Sequence, residues 1–328
     1  MRAHQSQPLS LAAAIVLALV QAALADDGAP GRWRAEAALP EAMDEVGGAA
    51  VGGKVYVIGG QTKDADHSPL VAEYDPASNR WRSRAAMPEG LSHPGVTALD
   101  GKIYVMGGFL AAQHGRARDD AFVYDPATDR WRALPTLSSP RGSVAAAALG
   151  GKIHVIGGRG LDNATVATHE VFDPATARWS VAAPLPFARD HAGIAVLDGK
   201  IHIFGGRTAD GGFYSVADHD VYDPKSDTWS KAAPLPVARS SGAYTVLDDR
   251  ILYAGGECRP RDGPRGGEAF DDVTAYDATT DRWTTLAPLP GARHAFAAAT
   301  VGDVAYFMAG APSSGDAHSA DLLAFRLP

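Results

Sequence analysis

The sequence of 328 residues has a single cysteine, Cys258, so no disulfide can form within the chain. This excludes the small secreted modules that depend on a disulfide framework for their stability. The chain also lacks an excess of positive charge, because 38 acidic residues stand against 30 Lys and Arg residues. That balance argues against a general role in binding nucleic acid.

Long apolar segments are also scarce. The one clear run, Leu9 to Val20, is too short to cross a bilayer, which argues against a retained membrane anchor. It follows Arg2 and precedes Ala23-Leu24-Ala25, the small-residue pattern of a signal-peptide cleavage site. We therefore expect a secretory signal in residues 1–25 and an exported protein in residues 26–328. Its predicted location is the periplasm or the medium, without insertion into a membrane.

What the chain does have is a repeat. All six tryptophans recur at intervals of 48 to 54 residues. An aromatic residue stands seven positions before each of the last five, and a double glycine lies further upstream of each of those five. A period of about 50 residues along the whole mature chain indicates a repeat architecture without an internal domain boundary. The tryptophans are Trp33, Trp81, Trp131, Trp179, Trp229 and Trp283.

Each repeat unit predicts four antiparallel strands, of which the second ends in Gly-Gly, the third in Tyr-Asp-Pro, and the fourth carries the tryptophan. The double glycine followed by spaced Tyr and Trp resembles the Kelch repeat, and the resemblance covers residues 31–328. It implies an all-β fold, a six-bladed β-propeller. It also implies that polar residues around the central channel bind ligands or peptides, as they do in Kelch propellers in general.

The ends of the chain predict how the propeller closes. The last unit stops at Pro328 without a tryptophan, whereas Arg32-Trp33-Arg34 precedes the first unit and belongs to no unit of its own. We therefore predict that this N-terminal strand completes the sixth blade, which removes an exposed sheet edge. The first strand of each unit carries small residues such as Gly47 and Gly95, as crowding around the propeller axis requires.

The variable loops indicate which face carries the function. In an antiparallel blade, the loops between the second and third strands share a face with the connections that lead into the next blade. These loops differ in length and content between units, for example in residues 109–120, 207–218 and 258–272, whereas the turns of the other face are short and repetitive. We expect the functional site on the variable face, around the mouth of the channel.

Six arginines are candidates for an anion-binding crown at this mouth, because guanidinium groups match carboxylates bidentately. Four of them begin the first strand of their units, and two follow Gly-Gly directly. The alternative is that each of the first four braces a neighbouring blade, which their recurrence in four blades favours. The first four are Arg141, Arg189, Arg239 and Arg293, and the other two are Arg159 and Arg207.

Three histidines, His93, His191 and His294, are predicted at the same mouth as ligand-binding residues. Together with nearby carboxylates they offer metal-ligand atoms, but they come from different blades and lack the spacing of known metal motifs. We therefore predict no metal and no cofactor. His154 and His202 stand where other units have tyrosine, and they are expected to be ordinary residues of a strand face.

The longest insertion, Glu257 to Glu268, is rich in Gly, Pro and charge, and is predicted to cover the mouth as a lid. Glu257 follows Gly-Gly directly and is a further ligand-binding candidate. It is expected to face Arg239 or Arg293, either as a general base or, preferably, as an ion-pair partner.

Two functions remain open, and the first, a binding module, is favoured. It would be a monomer that holds a small anionic ligand, a sugar or a protein partner at its mouth. The second is a sugar mutarotase or epimerase, because the overall plan is similar to that of the periplasmic N-acetylneuraminate epimerases. That resemblance implies an acidic sugar, with Glu257 or His294 moving a proton. A copper radical oxidase of the galactose oxidase type is disfavoured, because Cys258 lies in a hydrophilic loop without accompanying ligand spacing.

Overall fold

The structure is a computed structural model that describes residues 29–111, 114–209, 213–258, 267–313 and 317–328. The predicted signal segment, residues 1–25, and the middle of the predicted lid, residues 259–266, lie outside the described residues. Within the described ranges the chain forms strands and turns and has no α-helix. Those ranges accordingly contain no helix that is long and apolar enough to cross a membrane.

Most strands are short, as expected for a small repeating sheet. In chain order they begin with β1 (Arg32–Ala35), β2 (Met43–Asp44), β3 (Gly47–Val51), β4 (Lys54–Ile58), β5 (Gln61–Thr62), β6 (Val71–Asp75), β7 (Arg80–Ser83), β8 (Gly95–Leu99), β9 (Lys102–Ala111), β10 (Gly115–Asp125), β11 (Arg130–Ala133), β12 (Arg141–Gly142), β13 (Ala145–Leu149), β14 (Lys152–Ile156), β15 (Arg159–Gly160) and β16 (His169–Asp173). They continue with β17 (Arg178–Val181), β18 (Gly193–Leu197), β19 (Lys200–Phe204), β20 (Arg207–Thr208), β21 (Tyr214–Ser215), β22 (His219–Asp223), β23 (Thr228–Lys231), β24 (Ala243–Leu247), β25 (Arg250–Ala254), β26 (Glu257–Cys258), β27 (Glu268–Ala269), β28 (Val273–Asp277), β29 (Arg282–Leu286), β30 (Ala297–Val301), β31 (Val304–Met308) and β32 (Leu322–Arg326).

Six antiparallel sheets of four strands form the blades of a propeller. Blades 1 to 6 are β3-β4-β6-β7, β8-β9-β10-β11, β13-β14-β16-β17, β18-β19-β22-β23, β24-β25-β28-β29 and β30-β31-β32-β1. The first strands of neighbouring blades contact one another all the way round, and β30 contacts β3 to complete the circle. The six-bladed, all-β propeller predicted from the repeat is therefore confirmed.

The N-terminal strand closes the circle, as the missing tryptophan of the last unit predicts. β1 pairs with β32 in antiparallel register, with Trp33 opposite Phe325. The Trp33 ring packs on Phe325 and Phe307 with centroid distances of 4.7 and 5.1 Å, and its indole N–H donates to the carbonyl of Ala287 in blade 5 at 2.9 Å. This pairing covers the sheet edge that β32 would otherwise expose.

Glycines allow the blades to approach closely near the axis. A Cβ atom added to Gly47 would lie 2.2 Å from the side chain of Val96 in the next blade. Gly107, the first residue of a double glycine, has a φ of 61°, and a Cβ atom there would lie 2.2 Å from the carbonyl oxygen of Arg141 in the next blade. Both positions therefore require a residue without a side chain.

The tryptophan and tyrosine of each repeat join neighbouring blades. Every tryptophan indole donates to a backbone carbonyl of the preceding blade at 2.7 to 2.9 Å. In four blades the tyrosine hydroxyl donates to an Asn or Asp side chain, as Tyr124 does to Asp129, and that side chain also accepts a backbone N–H from the preceding blade. For Asp129 this donor is Ala85, at 2.9 Å. The side chains that define the repeat thus form hydrogen bonds between neighbouring blades.

The variable face differs from the prediction in blade 2. Much of the segment 109–120, predicted as a loop, belongs to strands: residues 109–111 continue β9, residues 115–120 begin β10, and the two strands pair with an irregularity between Arg118 and Ala121. The buried side chains of Phe109 and Leu110 explain the difference, since they extend the apolar strand beyond its double glycine. At the same face four two-stranded sheets pair β2 with β5, β12 with β15, β20 with β21, and β26 with β27.

Candidate functional site

A closed ring of backbone hydrogen bonds encircles the mouth of the channel. Each blade contributes the residue two positions before its first strand, whose N–H donates to the carbonyl of the equivalent residue in the preceding blade at 2.7 to 3.2 Å. All six residues have a positive φ, between 49° and 57°, and their side chains line a channel cavity of about 120 Å³. These residues, called the mouth ring below, are Glu45, His93, Ser143, His191, Ser241 and Ala295.

A second set of mouth residues follows the double glycines. In each case this residue pairs in antiparallel fashion with the residue just before the mouth ring of the same blade. Arg207 pairs in this way with Asp190, and Glu257 with Ser240. Arg159 holds the equivalent position in blade 3. The pairing places three charged residues from neighbouring blades beside the mouth ring.

Asp190 is the centre of a buried ionic network at this mouth. Its carboxylate accepts hydrogen bonds from Nε of Arg159 and, at 3.2 Å, from Nε of Arg207. The same oxygen lies 2.9 Å from Nδ1 of His191, and Arg207 Nη1 donates to Glu257 at 2.7 Å. The four charged residues are each at most 5% exposed. Two guanidinium and two carboxylate groups balance in charge, as such burial requires.

Phe213 adds an aromatic surface to the network. The guanidinium carbons of Arg159 and Arg207 lie 4.2 and 4.8 Å from the centroid of its half-buried ring. These distances are those of cation–π contacts. An aromatic ring beside a few precisely held polar groups is the usual composition of a pocket for a small polar ligand.

Three imidazole rings meet above the mouth ring. His93 and His191 belong to it, and His114 comes from the tip of the β9–β10 hairpin. The three ring centroids are 4.7, 5.1 and 5.2 Å apart. Nε2 of His114 lies 3.3 Å from Nε2 of His191, and Arg207 Nη2 contacts them at 3.1 and 3.0 Å. Burial, with added repulsion from neighbouring positive charges, lowers the pKa of His114 and His191 well below the ordinary value, so both are neutral at pH 7.

The four arginines that precede the first strands by four positions have their side chains within their own blades. Each is nearly or fully buried, at most 6% exposed, and has a hydrogen-bond or ion-pair partner on or just before the third strand of the same blade. The arginines thus brace their own blades, and not the neighbouring blades as the alternative interpretation expected. The pairs are Arg141 with Glu170, Arg189 with Asp220, Arg239 with Thr274, and Arg293 with Asp321.

In blade 2 two apolar side chains take the place of the arginine and its partner. Leu91 and Phe122 occupy the positions that Arg141 and Glu170 occupy in blade 3, and both belong to one hydrophobic cluster. Because both partners change together, this pair of positions serves the packing of each blade. The anion-binding prediction for Arg141 and its three equivalents is therefore not carried into the proposed site.

Glu257 and His294 lie at the mouth, as the sequence predicts, but with other neighbours than expected. Glu257 pairs with Arg207, not with Arg239 or Arg293, because the latter two side chains run into their blades. Nε2 of His294 lies 4.0 Å from the second carboxylate oxygen of Glu257. An acid and an imidazole therefore stand close together beside the channel.

Three of these site residues escaped the sequence analysis as ligand-binding candidates, namely His114, Phe213 and Asp190. His114 and Phe213 lie in segments between second and third strands, where variable length was the only signal. The direction of such a segment depends on how its two flanking strands pair, and the repeat pattern does not show that pairing. Asp190 was visible as a carboxylate near the mouth, but its central place depends on two arginines that are 31 and 17 residues away along the chain.

The blades, their closure and the polar mouth define the class of protein as a six-bladed β-propeller of the Kelch type. The chain belongs to the Kelch-repeat family, since the family described as the KLHDC2/KLHL20/DRC7 Kelch-repeats domain matches residues 31–185 and 180–310. The solved structure of YjhT is similar, with a TM-score of 0.75 and 18% identity over 88% of this chain and 96% of that chain. At this identity the likeness shows the fold alone. No curated protein matches the sequence.

Proposed function

We propose that this chain is an exported binding module for a small anionic or carbohydrate ligand at the loop-bearing mouth. The observation that carries the proposal is the buried network of Arg159, Asp190, Arg207 and Glu257 beside Phe213. The four charged residues come from three neighbouring blades at the variable face, and the equivalent positions of the other blades do not repeat this network. A polar network that is not part of the repeat, on the face that carries the variable loops, supports a ligand site.

The groups at this mouth match the chemistry of an acidic sugar. Sugar hydroxyls both donate and accept hydrogen bonds. The carboxylates of the network accept hydrogen bonds, and its guanidinium groups donate them. A carboxylate substituent suits the guanidinium groups of Arg159 and Arg207, and the apolar face of a sugar ring suits Phe213. His93, His191 and His294 surround the same opening and supply further donors or acceptors.

The binding proposal is tested by thermal-shift measurements with acidic sugars and simple carboxylates. A ligand that binds only the folded protein stabilises it by RT ln(1 + [L]/Kd), so its melting temperature rises with ligand concentration and with affinity. We expect at least one compound to stabilise the wild type, and the stabilisation to be lost in Arg159→Gln. The matched control is Arg178→Gln, on the exposed strand β17, which should respond as the wild type does. If no compound of either class stabilises the wild type, the proposal is wrong.

A sugar mutarotase is the second candidate, and the pair of Glu257 and His294 favours it. A carboxylate and an imidazole 4.0 Å apart can give and take a proton at a sugar ring oxygen and its anomeric hydroxyl. The test is to follow the interconversion of N-acetylneuraminate anomers by NMR with Glu257→Gln as control. Acceleration by the wild type and not by the variant would support catalysis, and no acceleration over buffer would leave only binding.

Export is part of the same proposal and depends on residues 1–25, which lie outside the described residues. Expression of the full sequence in a bacterium with a periplasm should yield a soluble mature protein that begins at Asp26. N-terminal sequencing of the periplasmic fraction checks this result. An intact N-terminus in the cytoplasmic fraction would contradict it.

A further inference from the structure

We propose that His93, His114 and His191 bind one divalent transition-metal ion above the mouth ring, with zinc as the best-suited ion. The function proposed above does not require this metal site, and the metal site does not require the small ligand. One ring nitrogen of each histidine lies within 4.8 Å of those of the other two. The residues come from three separate segments, two in the mouth ring and one at the hairpin tip.

The spacing of two of the three imidazoles, those of His114 and His191, agrees with tetrahedral coordination. Two nitrogens bound to one zinc ion at about 2.0–2.1 Å lie about 3.3–3.4 Å apart in a tetrahedral site. Nε2 of His114 and Nε2 of His191 are 3.3 Å apart. Ser143 Oγ lies 3.1 Å from the same nitrogen of His191, where a hydroxyl or a water molecule can complete the coordination. Three imidazoles with an open fourth position are a common zinc arrangement.

Proton positions prepare two of these nitrogens for a metal. An arginine only donates hydrogen bonds, so the contacts from Arg207 Nη2 at 3.1 and 3.0 Å indicate lone pairs on Nε2 of both His114 and His191. Asp190, at 2.9 Å from Nδ1 of His191, accepts the proton on the other side of that ring. A carboxylate in this position fixes the tautomer of a metal-binding histidine and increases its basicity.

His93 is the third ligand, and it has the same kind of support. Its Nε2 lies 3.1 Å from a carboxylate oxygen of Glu45, and neither of its two buried ring nitrogens has a hydrogen-bond partner among the described residues. A buried ring nitrogen without a partner is costly unless it gains one on binding. A metal ion supplies that partner.

The charges around the three histidines also favour a cation. The nearby carboxylates of Glu45, Asp190 and Glu257 outnumber the guanidinium groups of Arg159 and Arg207 by one. On binding, the ion takes the place of the Arg207 Nη2 contact to the imidazoles. Arg207 can keep its other two contacts, to Asp190 and Glu257. Imidazole nitrogen favours zinc, copper or nickel over magnesium and calcium, which prefer oxygen.

Metal binding is measured on the purified mature chain after removal of any affinity tag and treatment with a chelator. Isothermal titration with Zn²⁺, and the d–d absorption spectrum of the Co²⁺ form, should both report one tetrahedral ion per chain. Loss of residues that only support a metal ligand costs about 10–100-fold in affinity, so loss of a ligand itself should cost at least about 100-fold. We expect this loss in His114→Leu and in His191→Asn.

Two further variants separate this site from unspecific binding. His318→Asn removes a histidine that also lies by the mouth, 3.5 Å from Asp44, and should leave zinc binding unchanged. Arg207→Met removes the competing guanidinium and should tighten zinc binding. Because His114 lies at a hairpin tip, its variant should melt at the temperature of the metal-free wild type. The proposal is wrong if the wild type takes up no zinc, or if His114→Leu binds zinc as tightly as the wild type.

Discussion

Individual charged residues of this propeller have two kinds of surroundings. Arg141 and its equivalents are each enclosed in one blade with acidic or hydroxyl partners of that blade, whereas Arg159 and Arg207 share Asp190 at the mouth. Removal of one member of a buried ion pair is costly because it leaves the other charge without compensation. The two kinds of arginine should therefore respond differently to substitution.

Arg141→Leu should lower the free energy of unfolding by about 3–5 kcal/mol, because Glu170 remains buried without its guanidinium partner. The double variant Arg141→Leu/Glu170→Phe reproduces the Leu91 and Phe122 pair of blade 2 and should recover most of this loss. Denaturant unfolding of both variants measures the difference. A double variant as unstable as the single one would show that the two positions are not coupled in this way.

Two buried histidine pairs lie in blades 3 and 4, away from the mouth. His154 Nδ1 is 2.8 Å from Nε2 of His169, and His202 Nδ1 is 3.0 Å from Nε2 of His219. The second ring of each pair contacts a backbone carbonyl through Nδ1, at 3.0 Å, so that Nδ1 carries a proton and Nε2 accepts from the partner ring. Burial, and the neighbouring histidine, lower the pKa of His154 and His202 to about 4.

These pairs predict a loss of stability in acid. The pKa of each ring lies below its value of about 6.5 in the unfolded chain, so the unfolded chain binds protons more tightly. Stability should be complete above about pH 6.5 and decrease as the pH falls towards about 4, by about 3 kcal/mol for each ring whose pKa is about 4, namely His154, His202 and His219. Thermal melting between pH 8 and pH 4 measures this decrease.

Blade 5 supplies the control for this prediction, because Leu252 and Val273 occupy the positions of His154 and His169. The variant His154→Leu/His169→Val should lose less stability between pH 7 and pH 5 than the wild type. Equal pH dependence in the two proteins would count against the role of this pair.

At the scale of the blade, blade 3 lacks the hydrogen-bonded link to the preceding blade that blades 1, 2, 4 and 5 have. Phe172 replaces the tyrosine, Ala177 replaces the Asn or Asp, and Pro135 stands where the preceding blade elsewhere supplies a backbone N–H. All three departures concern one hydrogen-bond arrangement, and Pro135 removes its backbone donor. Ala177 also keeps the positive φ of 53° that suits Asn or Asp better than Ala.

Restoring this link should stabilise the protein. The triple variant Pro135→Ala/Phe172→Tyr/Ala177→Asp regains two hydrogen bonds and should raise the free energy of unfolding by about 1–2 kcal/mol. Ala177→Asp alone has neither donor and should change little. Urea unfolding compares the two, and a triple variant that is less stable than the wild type would refute the account.

The β9–β10 hairpin shows how an element can depart from the repeat and create a site. Its extension beyond Gly107-Gly108 is supported by buried Phe109, and it carries His114 to the two histidines of the mouth ring. The repeat predicts β9 up to the double glycine. The continuation depends on contacts with residues of other blades, such as that between His114 and His191.

At the scale of the whole molecule, stability depends on closure of the circle. A chain without residues 26–36 lacks β1 and the Trp33 contacts with Phe307, Phe325 and Ala287. It exposes the edge of β32 and should aggregate or unfold without cooperativity. A chain without residues 26–28 keeps β1 and is the matched control. Size-exclusion chromatography and thermal melting should show a stable monomer for the control alone.

Much of the architecture was predictable from the sequence, because the repeat is periodic and each period carries its own turn, glycine and aromatic signals. The six repeat units and the closure by Trp33 follow from the spacing, the propeller follows from the resemblance to the Kelch repeat, and all of them are confirmed. The position of the mouth residues, two before each first strand, follows from the same spacing. These features are repeated six times, so a local pattern is enough to place them.

Only the tertiary structure decided which charged residues meet. The sequence predicts both Arg141 and Arg159 at the variable face. In the structure Arg141 is enclosed with Glu170, whereas Arg159 contacts Asp190 at the mouth. The meeting of His93, His114 and His191 likewise depends on a hairpin tip and two blades that the chain order keeps apart. The repeat determines where the backbone of each blade lies. The partner of a mouth side chain depends on its distance from residues of other blades, and the sequence of one repeat unit does not contain that information.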